Sequence, residues 1–176
     1  MRIIKQLLLG AVGLFILVFL FSLLLPSRVR ISRAVLIRQS EDTVAAHLQN
    51  IHDWSKWNAL LQFDAGAEFH YQGDSIVYWN SQQQKKETQN RILLQSKKDT
   101  LIPFVMNLYG QKELQCGFSL SKYEGMEGKA TQLEWWIVEK TGWMPWEKFY
   151  GIFADRLKGP VMERSLDQFR AYLDQP

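Results

Sequence analysis

Residues 146–173 read WEKFYGIFADRLKGPVMERSLDQFRAYL, and their apolar members Phe149, Phe153, Leu157, Met162, Leu166, Phe169 and Leu173 recur three to five positions apart. That spacing draws one stripe along a long amphipathic helix, since about 3.6 residues complete a turn. Gly159-Pro160 falls in the middle. Proline removes a backbone donor and glycine adds freedom, so a kink or a break in two is predicted there, and a kinked helix can follow a curved sheet. Residues 63–138 supply such a sheet. The strand centres are Tyr78-Trp79, Arg91-Ile92-Leu93-Leu94, Val105-Met106-Asn107-Leu108, Phe118-Ser119-Leu120 and Leu133-Glu134-Trp135-Trp136-Ile137. Turn signals separate them at Gln72-Gly73-Asp74, residues 82–86, Lys97-Lys98-Asp99, Gln111-Lys112 and residues 124–129. No helix-length crossover lies between neighbouring strands, which predicts an antiparallel sheet and an α+β fold. Pro103 predicts that its strand starts late, lies at an edge or bulges.

Ahead of the sheet, residues 29–39 alternate in part and are rich in β-branched side chains, which reads as a first strand. Ser40-Glu41-Asp42 then supplies an N-cap and acidic first-turn residues for a short helix over 41–49. Residues 53–58, Asp-Trp-Ser-Lys-Trp-Asn, form a second short helix or turn. Trp54 and Trp57, three apart, share one face and read as core anchors that pin the short helices to the sheet.

Residues 7–25, LLLGAVGLFILVFLFSLLL, hold nineteen consecutive positions without a charge. At about 1.5 Å per helical residue this is close to the roughly 30 Å of a bilayer's hydrocarbon core, so the chain is read as a single-pass membrane protein. A cleaved signal peptide is the alternative, but its apolar core is shorter and a small-x-small site would follow, which Ser22-Leu23-Leu24-Leu25-Pro26 does not offer. The expected division is a membrane anchor over 1–28 and one domain over 29–176. Basic residues flank the span on both sides, so the side on which the domain lies stays open. All 18 acidic residues lie beyond it, and the basic excess comes from Arg2, Lys5, Arg28 and Arg30 beside the span. A collar of that kind suits anionic lipid headgroups, while a near-neutral domain argues against nucleic acid as a partner.

Two stretches carry a family resemblance. Residues 33–37, Arg-Ala-Val-Leu-Ile, run through Val44 to the W-x-x-W-N element Trp54, Trp57 and Asn58; residues 159–166 read Gly-Pro-Val-Met-Glu-Arg-Ser-Leu. Together with the order of elements they resemble the SRPBCC superfamily, in its START-like, polyketide cyclase/dehydrase-like group, over about residues 29–173. The resemblance implies a helix-grip fold, in which a curved antiparallel sheet wraps a long C-terminal helix. It also implies an apolar cavity between them that in many relatives holds a lipid, a sterol or another hydrophobic molecule. Members with an amino-terminal membrane segment are part of the group, which includes binders, carriers and cyclases.

By residue type and position, such a pocket would be lined by Trp79, Met106, Phe118 and Trp135 at strand centres and by Phe149, Phe153 and Leu157 on the closing helix. Each also suits plain core packing. Replacing Phe153 by Trp would then overfill the cavity. Trp143-Met144-Pro145-Trp146 reads as an apolar loop that guards a cavity mouth, dips into a membrane interface or staples the helix start. Catalytic patterns are lacking. His47, His52 and His70 have no metal-ligand spacing, and neither a G-x-S-x-G elbow nor a Gly-rich phosphate loop is present. His70 with Asp74 or Glu68 reads as a solvated strand end rather than an acid/base pair. The lone Cys116 cannot form an internal disulfide and reads as a small core residue. No metal and no cofactor is expected. Two readings follow: a membrane-tethered binder or carrier of a hydrophobic molecule, and a protein-interaction module with a filled core. A cyclase-type enzyme is the third.

Overall fold

A computed structural model describes residues 2–64, 66–81, 89–108, 110, 112–123 and 130–174. The turns read at 82–86 and 124–129 lie outside the described residues. Helix α1 (Arg2–Leu23) leads into strand β1 (Arg28–Ile37), helix α2 (Glu41–Gln49), a single 3-10 turn (Ile51–Asp53) and the short helices α3 (Trp54–Trp57) and α4 (Ala59–Gln62). Strands β2 (His70–Gln72), β3 (Ile76–Asn80), β4 (Gln89–Leu94), β5 (Leu101–Asn107), β6 (Leu114–Lys122) and β7 (Thr131–Lys140) follow, and helix α5 (Pro145–Leu173) closes the chain. The strands form one antiparallel, curved sheet of seven in the order β1-β7-β6-β5-β4-β3-β2. The long-range partnership is β1 with β7, in register from Arg28 opposite Lys140 to Ile37 opposite Thr131. By length and composition α1 is long and apolar enough to cross a membrane.

Local chemistry accounts for the boundaries. Ser40 Oγ accepts from Thr43 N at 3.3 Å and caps α2. Asn58 closes α3 and opens α4, its side chain accepting from Leu60 N at 3.0 Å. Pro145 occupies the first turn of α5, where its missing N–H costs nothing. Pro103 is not at an edge, because β5 lies between β4 and β6. Its carbonyl accepts from Gln95 N at 2.9 Å, one residue past the end of β4, and the acceptor left without a donor, Gln95 O, belongs to an exposed residue where water can replace it.

The inward rows of the sheet meet the short helices in an aromatic core. Trp54 and Trp57 are fully buried, with ring centroids 5.6 Å apart. Trp54 lies 5.1 Å from Phe104 and 5.6 Å from Phe118 on the sheet, and its indole donates to Leu48 O at 2.9 Å. Trp57 reaches Phe169 on α5 at 4.6 Å. Ser165 Oγ accepts from Ala59 N at 3.0 Å, which ties α4 to the same part of α5.

Helix α5 runs unbroken through Pro160. The carbonyl that loses its donor belongs to Arg156, four residues back on the exposed side, where water can replace it. The predicted single stripe holds only beyond Gly159, where Met162, Leu166 and Phe169 are buried. Before it, the side turned to the protein is Lys148, Gly151, Ala154 and Gly159, while Phe149, Phe153 and Leu157 are exposed. The reason is close approach. A methyl group on Gly151 would stand 3.1 Å from Val29 Cγ2 and 2.9 Å from Thr141 Cγ2, so small residues let the helix backbone lie directly on β1 and the end of β7. Arg33 on β1 spans Gly159, donating from Nε to Glu163 at 2.5 Å and from Nη1 and Nη2 to Asp155 at 2.9 and 3.1 Å.

Removing the Trp57 ring leaves the space between sheet and helix unfilled. Trp57→Ala should lower the unfolding free energy of the full chain in detergent micelles by about 3–5 kcal/mol in denaturant titrations. A loss below about 1 kcal/mol would show that other side chains fill the gap. The Arg33 hydrogen bonds hold the Asp155 carboxyl below the ordinary carboxylate range. Stability from this contact is therefore present at neutral pH and is lost as pH falls through the lowered value. Arg33→Gln should remove that part of the acid-side decline, and an unchanged pH profile of melting would count against it.

Candidate functional site

The packed core ends under the first half of α5. There a cleft of about 570 Å3 opens between the start of β6, the end of β7 and the helix. Leu114, Trp146 and Tyr150 give it apolar walls, Glu139, Thr141 and Gly142 line the β7 side, and Lys112 with Glu147 stands at the mouth. Lys112 Nζ lies 3.1 Å from Glu147 Oε1, a bridge from the residues just before β6 to α5 across the opening. Both side chains are solvated, so this contact is weak and can open at little cost.

The inner end of the cleft is polar. Glu139 continues the inward row Leu133, Trp135, Ile137 on β7 and forms a mostly buried ion pair with Lys158 of α5. The Lys158 ammonium also stands 6.0 Å over the Tyr150 ring. Below the pair, Cys116 lies opposite Ile137, then Phe118 opposite Trp135. Burial pushes the Cys116 thiol well up, which keeps it protonated and unreactive. The indole N–H groups of Trp57 and Trp135 are buried with no partner among the described residues, although both rings flank Phe118 at 6.2 and 5.5 Å.

The segment that lines the cleft also holds the end of α1. Lys148 Nζ, buried under the helix, donates to Leu25 O at 2.9 Å and to Ser27 Oγ at 2.7 Å. Thr141 N donates to Ser27 O and Thr141 Oγ1 to Pro26 O, each at 3.1 Å. Ser22 is buried, and the Trp143 ring meets Phe19 edge-on at 6.5 Å.

No family model and no curated protein matches the chain by sequence. Solved structures do match. The chain is similar to a START superfamily protein from Mycobacterium smegmatis, with 15% identity and a TM-score of 0.56 over 84% of this chain and 98% of that one. The fold is the START, helix-grip fold. Likeness extends to the Zhui aromatase/cyclase from Streptomyces sp. R1128, at 9% identity and a TM-score of 0.56 over 82% and 93% of the two chains. The protein XoxI from Bacillus cereus is similar at 12% identity and a TM-score of 0.55, over 83% and 96%.

Within this helix-grip frame the residues read from sequence as pocket lining part into two sets. Trp79, Met106, Phe118 and Trp135 are all buried in the core on the inward face of the sheet. Phe149, Phe153 and Leu157 lie on the outer face of α5, so overfilling a cavity with Phe153→Trp loses its basis. None of the seven is among the residues lining the cleft. Trp146, read as part of a loop, does line it. Leu114, Glu139 and Tyr150 were missed. The available signal was Glu139, a carboxylate at an inward position that continues an apolar row.

The histidines are apart from one another. His47 meets Tyr172 at 5.7 Å, His70 stacks on Tyr78 at 5.4 Å, and His52 stacks on Tyr71 at 4.4 Å. Asp74 stands 3.5 Å from His52 rather than beside His70, so the imagined His70–Asp74 pair is not formed. With Cys116 buried, the native full chain should resist a maleimide at mildly alkaline pH and take up one label after denaturation. Rapid native labelling would show that the path from the cleft to Cys116 is open.

Proposed function

We propose that this chain is a membrane-tethered binder or carrier of a hydrophobic small molecule or lipid, with α1 as a single-pass anchor, 1–28, and 29–176 as the binding domain. The observation that carries the reading is the cleft between sheet and α5, because its volume of about 570 Å3 lies within the range of small-molecule sites. Apolar walls from Leu114, Trp146 and Tyr150, with charged side chains at the mouth and Glu139 at the inner end, suit an amphiphilic molecule with a hydrocarbon body. A ligand reaching past Leu114 and Cys116 would meet Phe118 and Trp135 next, where the unpartnered Trp135 N–H offers a donor to a ligand oxygen. Tethering raises the concentration of such a site near a lipid source without any further contact. The polyketide-cyclase likeness is one of fold, and no step of catalysis is drawn from it.

One observation favours a second reading, the interaction module. The space under the second half of α5 is filled by Trp54, Trp57 and Phe169, and an apolar face lies exposed on the first half. Native mass spectrometry of the full chain, taken from its host membrane into detergent and then stripped of detergent in the gas phase, separates the two. The expected result is a stoichiometric hydrophobic adduct. Its affinity should fall roughly tenfold in Leu114→Trp, since overpacking a site by one large ring costs about 1–3 kcal/mol. A bare mass that stays bare after incubation with total host lipid would overturn the binder and leave the interaction module.

A further inference from the structure

The first half of α5 is apolar on the side that no described residue covers. Trp146, Phe149, Phe153 and Leu157 recur three or four residues apart and so share one face. They are 61, 38, 53 and 57% exposed, and Trp143 in the preceding loop is 65% exposed. An apolar face of this extent marks a place where something binds. Beyond Gly159 the same helix turns Glu163, Arg164, Asp167 and Arg170 outward, as an ordinary solvated helix does. The apolar face is therefore confined to the half beside the end of α1.

We propose that this face lies in the headgroup region of the same bilayer that α1 enters, so that the domain rests on the membrane along the first half of α5. The inference rests on the reading of α1 as a membrane span. Three observations select the bilayer as the occupant. The face adjoins α1: Trp143 ahead of it meets Phe19 in the last turns of that helix, and Lys148 and Thr141 hold residues 25–27 just beyond it. Its aromatic members include two tryptophans, the residue type favoured where hydrocarbon meets water. Beside it, at the open end of the β1–β7 pair, Arg28 stands directly opposite Lys140. Like charges so placed repel, and among the described residues neither makes an ion pair, an arrangement that an anionic headgroup relieves. Because Trp146 both starts the stripe and lines the cleft, the mouth of the cleft opens at the membrane surface, and a lipid-like ligand passes between them without crossing water.

The test uses the full chain in vesicles of phosphatidylcholine and phosphatidylglycerol whose acyl chains carry bromine. An environment-sensitive thiol probe is placed at Phe153→Cys on the stripe and, separately, at Arg164→Cys on the polar outer face of the second half; both positions are exposed and Cys116 is buried. Flotation of the vesicles first reports whether the chain is anchored. With the chain anchored, bromine should quench the probe at position 153 roughly two-fold and leave that at 164 unchanged, since an interfacial helix sits about 5–10 Å into the headgroup boundary. Equal signals at the two positions in floated vesicles overturn the docking and leave the tether standing. A position-153 signal that follows protein dilution rather than bromine overturns it as well, because a second copy then covers the face. A chain that fails to float overturns the tether and the docking together.

Discussion

A single helix laid on a wide, concave sheet leaves a gap that its own side chains cannot span, and the filling of that gap by Trp54 and Trp57 is the constraint on which the fold depends. The two indoles come from one helix, α3, only a turn long, which would have no stability by itself. They persist because Trp54 is held between Phe104 and Phe118 while Trp57 presses on Phe169. The sheet, the short helices and the end of α5 thus share one aromatic cluster. The Ser165 to Ala59 hydrogen bond satisfies a buried backbone donor at the same place, so the position of α5 is fixed by packing and by polar satisfaction together.

That plug reaches only half of the helix, and the rest follows from where it stops. Beyond Gly159, α5 sits over a filled interior and its outer face is polar. Before Gly159, small residues bring the backbone onto β1, the large side chains turn outward, and the inner side near β6 and β7 is left as a cleft. The boundary is marked by charge: Arg33 joins Asp155 and Glu163 on the β1 side, and Lys158 meets Glu139 on the β7 side. A mostly buried ion pair adds little stability relative to an apolar pair of the same size, because desolvation offsets attraction. Its effect here is to keep a polar floor where apolar residues would have closed the cleft.

Much of this was written in local sequence. The antiparallel order of strands followed from short turn signals, the cap at Ser40 from its acidic neighbours, and the role of Trp54 and Trp57 from their spacing of three. The face of α5 was legible only beyond Gly159. In the first half, apolar residues at helical spacing lie on the outer side, and the inner side is marked by Gly151, Ala154 and Gly159, which carry almost no hydropathy signal. Periodicity reports which face is apolar and not what covers it, so in sequence the stripe and the packed face are indistinguishable. The cleft escaped for a related reason. Its β6 side, residues 112–114, lies far in sequence from the end of β7 and the start of α5 that complete it, and its residues are of mixed polarity. Pro103 misled because a missing donor is harmless where a neighbouring strand has already ended, and strand ends are set by tertiary pairing.

The connection between α1 and the domain bears on all of this. Only residues 24–27 separate the helix from β1, and Lys148 and Thr141 hold four of their polar groups. A flexible linker would let the domain sample a volume above the membrane and dilute the site within it. A clamped one removes that freedom and, on the proposed reading, fixes which surface meets the bilayer. The clamp lies at the rim of the cleft, because Thr141 lines its β7 side and Lys148 sits in α5 between the lining residues Glu147 and Tyr150. On the proposed reading, the position of the anchor and the position of the cleft mouth are therefore one structural decision, made by Lys148 and Thr141.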